Sequence, residues 1–115
     1  MKLPNAEEAF IPIEKLQSYC LSAEHDEGKH KAYLFTKLLG FTEESVDEFE
    51  SMLRDAIVQS DALNPHRTAY GMIYYVDFPV SRNIRTHIVR STWIIRDGET
   101  FPRFVSCYIK RKNQA

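Results

Sequence analysis

The chain has 115 residues, of which 43% are hydrophobic and 27% charged, the size and composition of one ordinary globular domain. These values exclude a disordered, collagen-like or low-complexity chain, and no apolar run is long enough for a membrane-spanning helix. The formal net charge of −1 at pH 7 argues against a general nucleic-acid-binding protein.

The charge is divided unevenly along the chain. Residues 1–65 carry six basic and thirteen acidic groups, a net charge of −7, whereas residues 66–115 carry nine basic and three acidic groups, a net charge of +6. Two interpretations remain open at this point. Either the two halves pack together and neutralise each other, or the basic half presents a surface to a polyanion such as RNA.

The first half of the chain has the apolar period of helices. It predicts a first helix that opens at residues 11–13 and fades near residues 22–24, and a second over about Lys29–Leu39. Gly40 is expected in the left-handed conformation that follows a helix. Thr42 is expected to cap a third helix that extends to about Gln59. The predicted buried face of this helix consists of Val46, Phe49, Leu53, Ala56 and Ile57.

The second half has the two-residue period of strands. One strand is predicted over Tyr70–Phe78 and a longer one over Ile84–Arg96, separated by a loop at residues 79–83. Asp97-Gly98 is a strong hairpin signal, and it predicts a return strand that continues over Arg103 to Ile109. Pro102 cannot donate a ladder hydrogen bond, so a bulge or a sheet edge is expected there.

Together these elements predict an α+β fold, with about three N-terminal helices packed on one face of a C-terminal antiparallel sheet of three or four strands. We expect a single domain over residues 1–115, helical over about 11–60 and sheet over about 68–110. The core residues expected from the helices are Leu16, Ala32, Phe35, Leu39, Phe49 and Leu53. Those expected from the sheet are Ile73 and Tyr75, or their neighbours one residue on, together with Val89, Trp93 and Val105.

Cys20 and Cys107 are 87 residues apart, with no CxxC or metal-binding spacing. Both are interpreted as buried, reduced thiols of a cytoplasmic protein, in preference to a disulfide. The start of the chain has no apolar stretch typical of a secretory signal. The four histidines show no metal-ligand spacing, and no phosphate-binding glycine loop is present. No cofactor, metal or membrane partner is therefore expected.

His25 is the first of two candidate centres of chemistry. It lies between the first two predicted helices, and Gly28 and Lys31 follow it at the start of the second helix, where backbone N–H groups favour anions. A histidine and a lysine at this point can hold a phosphate and move a proton. The alternative is that His25 caps or packs against a helix and Gly28 supplies a turn. His30 and His66 are interpreted as solvated polar residues.

The second candidate lies on the predicted hairpin. Arg90 and Thr92 share one face of the long strand and are expected roughly opposite the stretch from Arg103 to Ser106, with Tyr108 beyond it. Arginine offers a bidentate fork, and a hydroxyl on the neighbouring strand completes a suitable phosphate site. The alternative is that these residues form ordinary solvent-facing cross-strand pairs.

The sequence also resembles a bacterial family of small uncharacterised domains over about residues 9–109. The pattern that carries the resemblance is Ile11-Pro12-x-x-Lys15-Leu16-x-x-Tyr19-x-Leu21, His25-x-x-Gly28-x-x-Lys31-Ala32-x-x-Phe35, Gly40-Phe41 and Pro102-Arg103-Phe104-Val105-Ser106-x-Tyr108. The chain departs from it at Ser106-Cys107, where Thr-Ala is more usual, although serine keeps the hydroxyl. The plan of helices followed by a sheet is similar to that of metal-independent ribonuclease toxins of the barnase, colicin and RelE type.

The resemblance implies cleavage of RNA by attack of the ribose 2′-OH on the adjacent phosphate. The reaction needs a proton-transfer group, cations for the phosphorane charge and hydroxyls to hold the phosphate. The resemblance implies that His25 transfers the proton. It implies Lys31, Arg90 and Arg103 for the phosphorane charge, and Ser106 or Tyr108 as the hydroxyl that holds the phosphate. The rival hypothesis is a non-catalytic binding or immunity-like module for a cognate protein partner, its acidic third helix facing a basic nuclease. Both a monomer and a homodimer are compatible with the sequence.

Overall fold

The structure is a computed structural model that describes residues 1–16, 40–82 and 85–110. Helix α1 (Ile13–Lys15) begins at the predicted position, directly after Pro12, and helix α2 (Val46–Gln59) is the long helix of the described residues. The rest of the first predicted helix and the helix predicted over Lys29–Leu39 lie outside the described residues. The structure therefore confirms the α+β class and the third helix, and leaves the number of helices as a prediction.

A 3₁₀ turn (Glu43–Ser45) leads directly into α2, and two residues that the sequence singled out, Gly40 and Thr42, precede it. Gly40 has a φ of +72°, the left-handed conformation expected of it. The Thr42 hydroxyl accepts a hydrogen bond from the backbone N–H of Glu44 at 3.3 Å, while the Ser45 hydroxyl accepts one from the backbone N–H of Thr42 at 3.1 Å. These reciprocal bonds satisfy N–H groups that the first helical turn leaves without partners. All five predicted apolar residues of α2 are buried.

Four strands form one antiparallel sheet in the order β1-β2-β3-β4: β1 (Leu63–Arg67), β2 (Gly71–Arg82), β3 (Arg85–Arg96) and β4 (Arg103–Ile109). β1 was not predicted, because Pro65 lies within it; an edge strand tolerates a proline. The loop expected at residues 79–83 is largely strand, since β2 continues through Pro79 to Arg82. β1 pairs only with residues 72–75 of β2, so among the described strands Pro79 has a ladder partner on one side only.

A bulge in β4 decides which of its side chains reach the core. Thr92 lies opposite Ser106 and Trp93 opposite Phe104, so Val105 is an extra residue on β4. Strict alternation predicted Val105 inside and Phe104 outside. That expectation was wrong: Phe104 is buried and Val105 is half-buried. A bulge or a sheet edge was expected at Pro102. The bulge lies instead at Val105, within β4.

The buried face of the sheet packs on α2 and the N-terminal segment. From the described sheet it comprises Tyr74, Val76, Phe78, Val80, Val89, Ser91, Trp93, Phe104, Cys107 and Ile109. In β2 the buried residues are thus Tyr74 and Val76, the alternates one residue after Ile73 and Tyr75. At its centre, Trp93 donates its indole N–H to the Ser91 hydroxyl, which donates to the Val76 carbonyl, both at 2.8 Å. The buried polar atoms of this centre are therefore paired.

The N-terminal segment lies against the outer edge of β4. The Phe10 backbone N–H donates to the Pro102 carbonyl, and the Phe104 N–H donates to the Phe10 carbonyl, each at 2.9 Å. This short parallel pairing continues the sheet locally beyond β4 and brings Phe10 beside Arg103. None of the helices within the described ranges is both long and apolar enough to cross a membrane.

Candidate functional site

The face of the sheet opposite the core carries polar side chains in aligned rows; we call it the polar face. Its central row places Asp77 of β2, Arg90 of β3 and Tyr108 of β4 directly opposite one another. The next row consists of Tyr75, Thr92 and Ser106. Three adjacent strands thus bring together Arg90 and the hydroxyl groups of Thr92, Ser106 and Tyr108, which the sequence suggested for phosphate binding.

The central row is built around the Asp77 carboxylate. Arg90 donates to it twice, from Nε to Oδ1 at 2.7 Å and from Nη2 to Oδ2 at 3.0 Å, and Lys110 donates from Nζ to Oδ2 at 3.2 Å. All three side chains are less than one-fifth exposed. Two cations on one carboxylate leave an excess of one positive charge at the centre of the face.

The charges of this cluster support each other. Burial by itself would raise the pKa of Asp77, but the hydrogen bonds from Arg90 and Lys110 hold it below its ordinary value. The hydrogen bond to Asp77 in turn raises the pKa of Arg90, and Tyr108 adds to that effect. Asp77 is therefore ionised near neutral pH, and it orients a permanently charged guanidinium.

An aromatic stack extends the polar face toward β1. The guanidinium carbon of Arg90 lies 5.1 Å from the centre of the Tyr75 ring, and the His66 ring lies 5.8 Å from the same ring at an angle of 30°. His66 Nδ1 is 2.9 Å from the Asn64 carbonyl oxygen. A carbonyl only accepts, so Nδ1 carries the proton and Nε2 of the neutral ring is left as the acceptor.

His66 is thus a candidate that the sequence interpretation missed. It was interpreted as a solvated residue because β1 was not recognised, and without β1 nothing connects His66 to the sheet. The alternation in β1 and its pairing of His66 with Ile73 bring the ring against Tyr75. Recognising Leu63–Arg67 as an edge strand would have placed His66 on the sheet.

The remaining predicted residues are distributed over three places. Ser106 lies opposite Thr92, as expected, whereas Arg90 lies opposite Tyr108, beyond the stretch predicted for it. Arg103 pairs with Ile94, about 13 Å along β3 from the Arg90 row at about 3.3 Å per residue. The structure therefore does not bring Arg103 to the same phosphate as Arg90. His25 and Lys31 lie outside the described residues, and their roles stay predictions.

Arg103 has its own set of contacts. It pairs with Glu99 through two hydrogen bonds, from Nε at 2.8 Å and from Nη2 at 2.7 Å, and these lower the pKa of Glu99. Its guanidinium lies 5.1 Å from the ring centre of Phe10 and 5.0 Å from that of Phe101. In residues 1–16, 40–82 and 85–110, no group of three or more histidine, cysteine or acidic side chains is close enough to share a metal ion.

Comparison with known proteins identifies the family. The model described as "Domain of unknown function (DUF6883)" matches residues 2–111, and the chain belongs to this family. A comparison with curated proteins found no match. Among solved structures, the fold is similar to that of a chain in a contact-dependent growth inhibition toxin–immunity protein complex from Klebsiella pneumoniae 342. The TM-score is 0.65 at 13% identity, and the match covers 87% of this chain and 98% of the other. At this identity the likeness shows a shared fold.

Proposed function

We propose that this domain is a ribonuclease of the toxin type, which binds the RNA phosphate on the polar face and cleaves it by 2′-OH transesterification. The observation that carries the proposal is the orientation of Arg90. Asp77 engages Nε and one N–H of Nη2 and thereby orients the guanidinium, so up to three of its five N–H donors are shared between Tyr108, which also interacts with it, and a second acceptor. The hydroxyls of Thr92, Ser106 and Tyr108 surround it in the same and the next row.

The charge balance of the cluster suits a phosphate. A phosphodiester carries one negative charge, and the Arg90–Asp77–Lys110 cluster carries one excess positive charge. In the transition state a second negative charge develops on the phosphorane oxygens, and fixed donors aimed at that charge stabilise it without rearranging. The two tight bonds to Asp77 supply this fixed orientation, because they hold the guanidinium plane.

The reaction transfers two protons. The ribose 2′-oxygen bonds to phosphorus while its proton passes to a base, and the bond from phosphorus to the 5′-oxygen breaks while an acid protonates that oxygen. The products are a 2′,3′-cyclic phosphate and a 5′-hydroxyl. Among the described residues, His66 is the candidate for the base. Its ring lies against Tyr75, and its Nε2 atom is free to accept a proton because Nδ1 carries the ring proton. His25 remains the candidate for the second proton-transfer group.

A second candidate function is an immunity-like module that binds a protein partner. One observation favours it: helix α2 and its preceding turn present acidic side chains to solvent, among them Glu44, Asp47 and Glu48. Such a surface complements a basic nuclease. The structural neighbour comes from a toxin–immunity complex, which is compatible with either candidate.

The decisive experiment is incubation of the purified protein with transfer RNA and total RNA in EDTA, followed by analysis of the new ends. We expect 2′,3′-cyclic phosphate ends. Arg90→Lys keeps the positive charge but loses the bidentate hydrogen-bonding geometry of the guanidinium. We expect the cleavage rate to fall by about 10²-fold, the range for one lost transition-state donor. His66→Ala and His25→Ala should each abolish cleavage without unfolding the protein.

A matched pair of variants separates the site from a general change in the sheet. Thr92→Ala removes a hydroxyl beside Arg90, whereas Thr86→Ala removes one from an exposed position of the same face and strand. Only the first should slow cleavage. A folded wild-type protein that leaves RNA intact, yet binds a basic nuclease domain and inhibits it, would overturn the ribonuclease proposal in favour of the immunity-like module.

A further inference from the structure

A cavity of about 730 Å³ lies between the N-terminal segment and the end of the sheet where β3 leads into β4. It is separate from the Arg90 row and shares none of that row's residues. Its lining residues are Phe10, Pro12, Lys15, Tyr70, Ile94, Arg96, Asp97, Arg103, Phe104 and Val105. The volume is within the range of pockets that hold small molecules or single bases.

Two exposed aromatic rings border this cavity. Tyr70 is 78% exposed and Phe10 is 48% exposed, although both are large and largely apolar. Tyr70 is held at the tip of the β1–β2 turn, where its backbone N–H donates to the Thr68 hydroxyl and that hydroxyl donates to the Gly71 carbonyl. Phe10 is held by its backbone pairing beside β4. The backbone bonds therefore fix the points at which both side chains leave the chain, and both rings present apolar surface to solvent.

The charges in the cavity favour an anion. Asp97, the one acidic residue of its lining, is already paired with Arg67, and Arg103 of the lining is paired with Glu99. Lys15 donates only a 3.4 Å bond to the Phe104 carbonyl. The exposed side chain of Arg96 is near enough to Glu99 to lower the pKa of that carboxylate, but Glu99 is already held by two hydrogen bonds from Arg103. Lys15 and Arg96 therefore leave the cavity with unneutralised positive charge beside exposed rings.

The position of the cavity relates it to the polar face. The Ile94–Arg103 row borders it and lies about 13 Å along β3 from Arg90. This is the length of about four stacked nucleotides at about 3.4 Å each, and of fewer when the strand is extended. One short single strand can thus reach both the Arg90 row and the cavity.

We infer that the cavity binds an unstacked base of single-stranded RNA, with Phe10 and Tyr70 as stacking surfaces and with Arg96 and Lys15 on the flanking phosphates. Exposed aromatic rings next to cations are the combination that single-stranded nucleic acid requires, because bases stack on rings while the backbone needs positive charge. This inference rests on the proposed function for the identity of the ligand as RNA. It adds the substrate class: unpaired segments, not duplex.

The test is fluorescence anisotropy with a labelled, 2′-O-methylated RNA octamer, which cannot be cleaved, and with the same sequence in a duplex. The wild type should bind the single strand more tightly than the duplex. Tyr70→Leu and Phe10→Leu keep apolar bulk and remove the ring. Each should weaken single-strand binding by about five-fold to about 150-fold, the range of one lost base–ring stack.

Two control variants and one charge variant make the result specific. Tyr70→Phe keeps the ring and should retain wild-type affinity, and Val58→Ala changes an exposed apolar residue of α2 and should have no effect. Arg96→Gln should weaken binding and reduce the slope of affinity against salt by about 0.7, the value for one phosphate of a single strand. Circular dichroism of each variant confirms that it is folded.

The outcomes separate this inference from the proposed function. Unchanged single-strand binding by both ring variants, or equal losses for single strand and duplex, overturns the cavity as a base site even if the wild type cleaves RNA. Loss of binding in the ring variants with no cleavage by the wild type supports the cavity and overturns the ribonuclease proposal. Failure of the wild type to bind the octamer overturns the inference, as does ring-dependent binding of a protein partner only.

Discussion

The two faces of the sheet differ in how deeply their side chains are buried and in how their polar atoms are paired. On the buried face, Trp93, Phe104 and Val76 are almost fully buried, and the polar atoms among them are satisfied internally. On the polar face, Asp77 and Arg90 keep about one-sixth of their side-chain surface exposed, and their polar atoms are paired by hydrogen bonds between opposite charges. Adjacent residues of β3 therefore lie either in the packed core or in the partly exposed charged cluster, according to the side of the sheet that they face.

The largest expected difference between the faces is at residues 92 and 93. Trp93→Ala removes a fully buried indole, and we expect the free energy of unfolding to fall by about 3–5 kcal/mol because a cavity is left. Thr92→Ala, one residue earlier on the polar face, should change it by less than about 1 kcal/mol. Urea denaturation of both variants measures the contrast. Similar losses at the two positions would break the distinction between the faces.

A smaller loss is expected for Asp77→Asn, which leaves Arg90 and Lys110 adjacent without their shared carboxylate. We expect about 2–3 kcal/mol at pH 7, below the value for a fully buried pair because Asp77 is partly exposed. Since the fold lowers the pKa of Asp77, its stabilisation is present above the unfolded value of about 3.9 and is lost as the pH falls through the folded value.

The difference in stability between wild type and Asp77→Asn should therefore be constant from about pH 5 to pH 8 and should shrink below about pH 4. Thermal unfolding across this pH range measures it. Asp61→Asn is the control, because the side chain of Asp61 is 65% exposed and its ion pairs contribute little. A constant difference down to pH 2 would show that the charge of Asp77 does not stabilise the fold.

Ser91→Ala tests the one polar side chain that is fully buried among the described residues. The substitution leaves the Trp93 indole N–H without its acceptor in the core, so we expect a loss of about 1–2 kcal/mol. Ser106→Ala is the matched change on the polar face, where water replaces the hydroxyl, and it should cost less than about 0.5 kcal/mol. Guanidinium titrations distinguish the two. A loss for Ser91→Ala no larger than that for Ser106→Ala contradicts the assignment.

The smallest stability effect is expected for Tyr108→Phe, which keeps the ring and removes the hydroxyl next to Arg90. The melting temperature should hardly change, whereas the initial rate of RNA cleavage should fall by about two-fold to ten-fold, the range for one neutral hydrogen bond. A drop in melting temperature of several degrees with an unchanged rate would place Tyr108 in the stability of the sheet and not in its proposed function.

Much of the local structure could be read from the sequence because it depends on near neighbours. The cap at Thr42, the end of α2 at Gln59 and the left-handed Gly40 follow from local hydrogen bonds and backbone sterics. The two faces of β3 follow from strict alternation, and Val89, Ser91 and Trp93 are buried as that alternation predicts. The α+β class follows from the change of period near Pro65.

The candidate site was predictable only in part. Arg90, Ser106 and Tyr108 were identified as residues of one surface, because alternation and the hairpin signal suffice to bring two neighbouring strands together. Asp77 was not identified, since its contact with Arg90 depends on the register between β2 and β3. His66 was set aside for the related reason that an edge strand interrupted by a proline has a weak sequence signal.

The sequence by itself therefore determined the kinds of element, their order and the alternation within each strand. Only the tertiary structure decided the register, because a single extra residue at Val105 reverses which side of β4 each preceding residue faces, and no local pattern specifies where that residue is placed. This bulge sends Phe104 into the core while Ser106 and Tyr108 keep to the side of Arg90. The cavity beside Phe10 arises in the same way, from a contact between residues that are more than ninety positions apart in the chain.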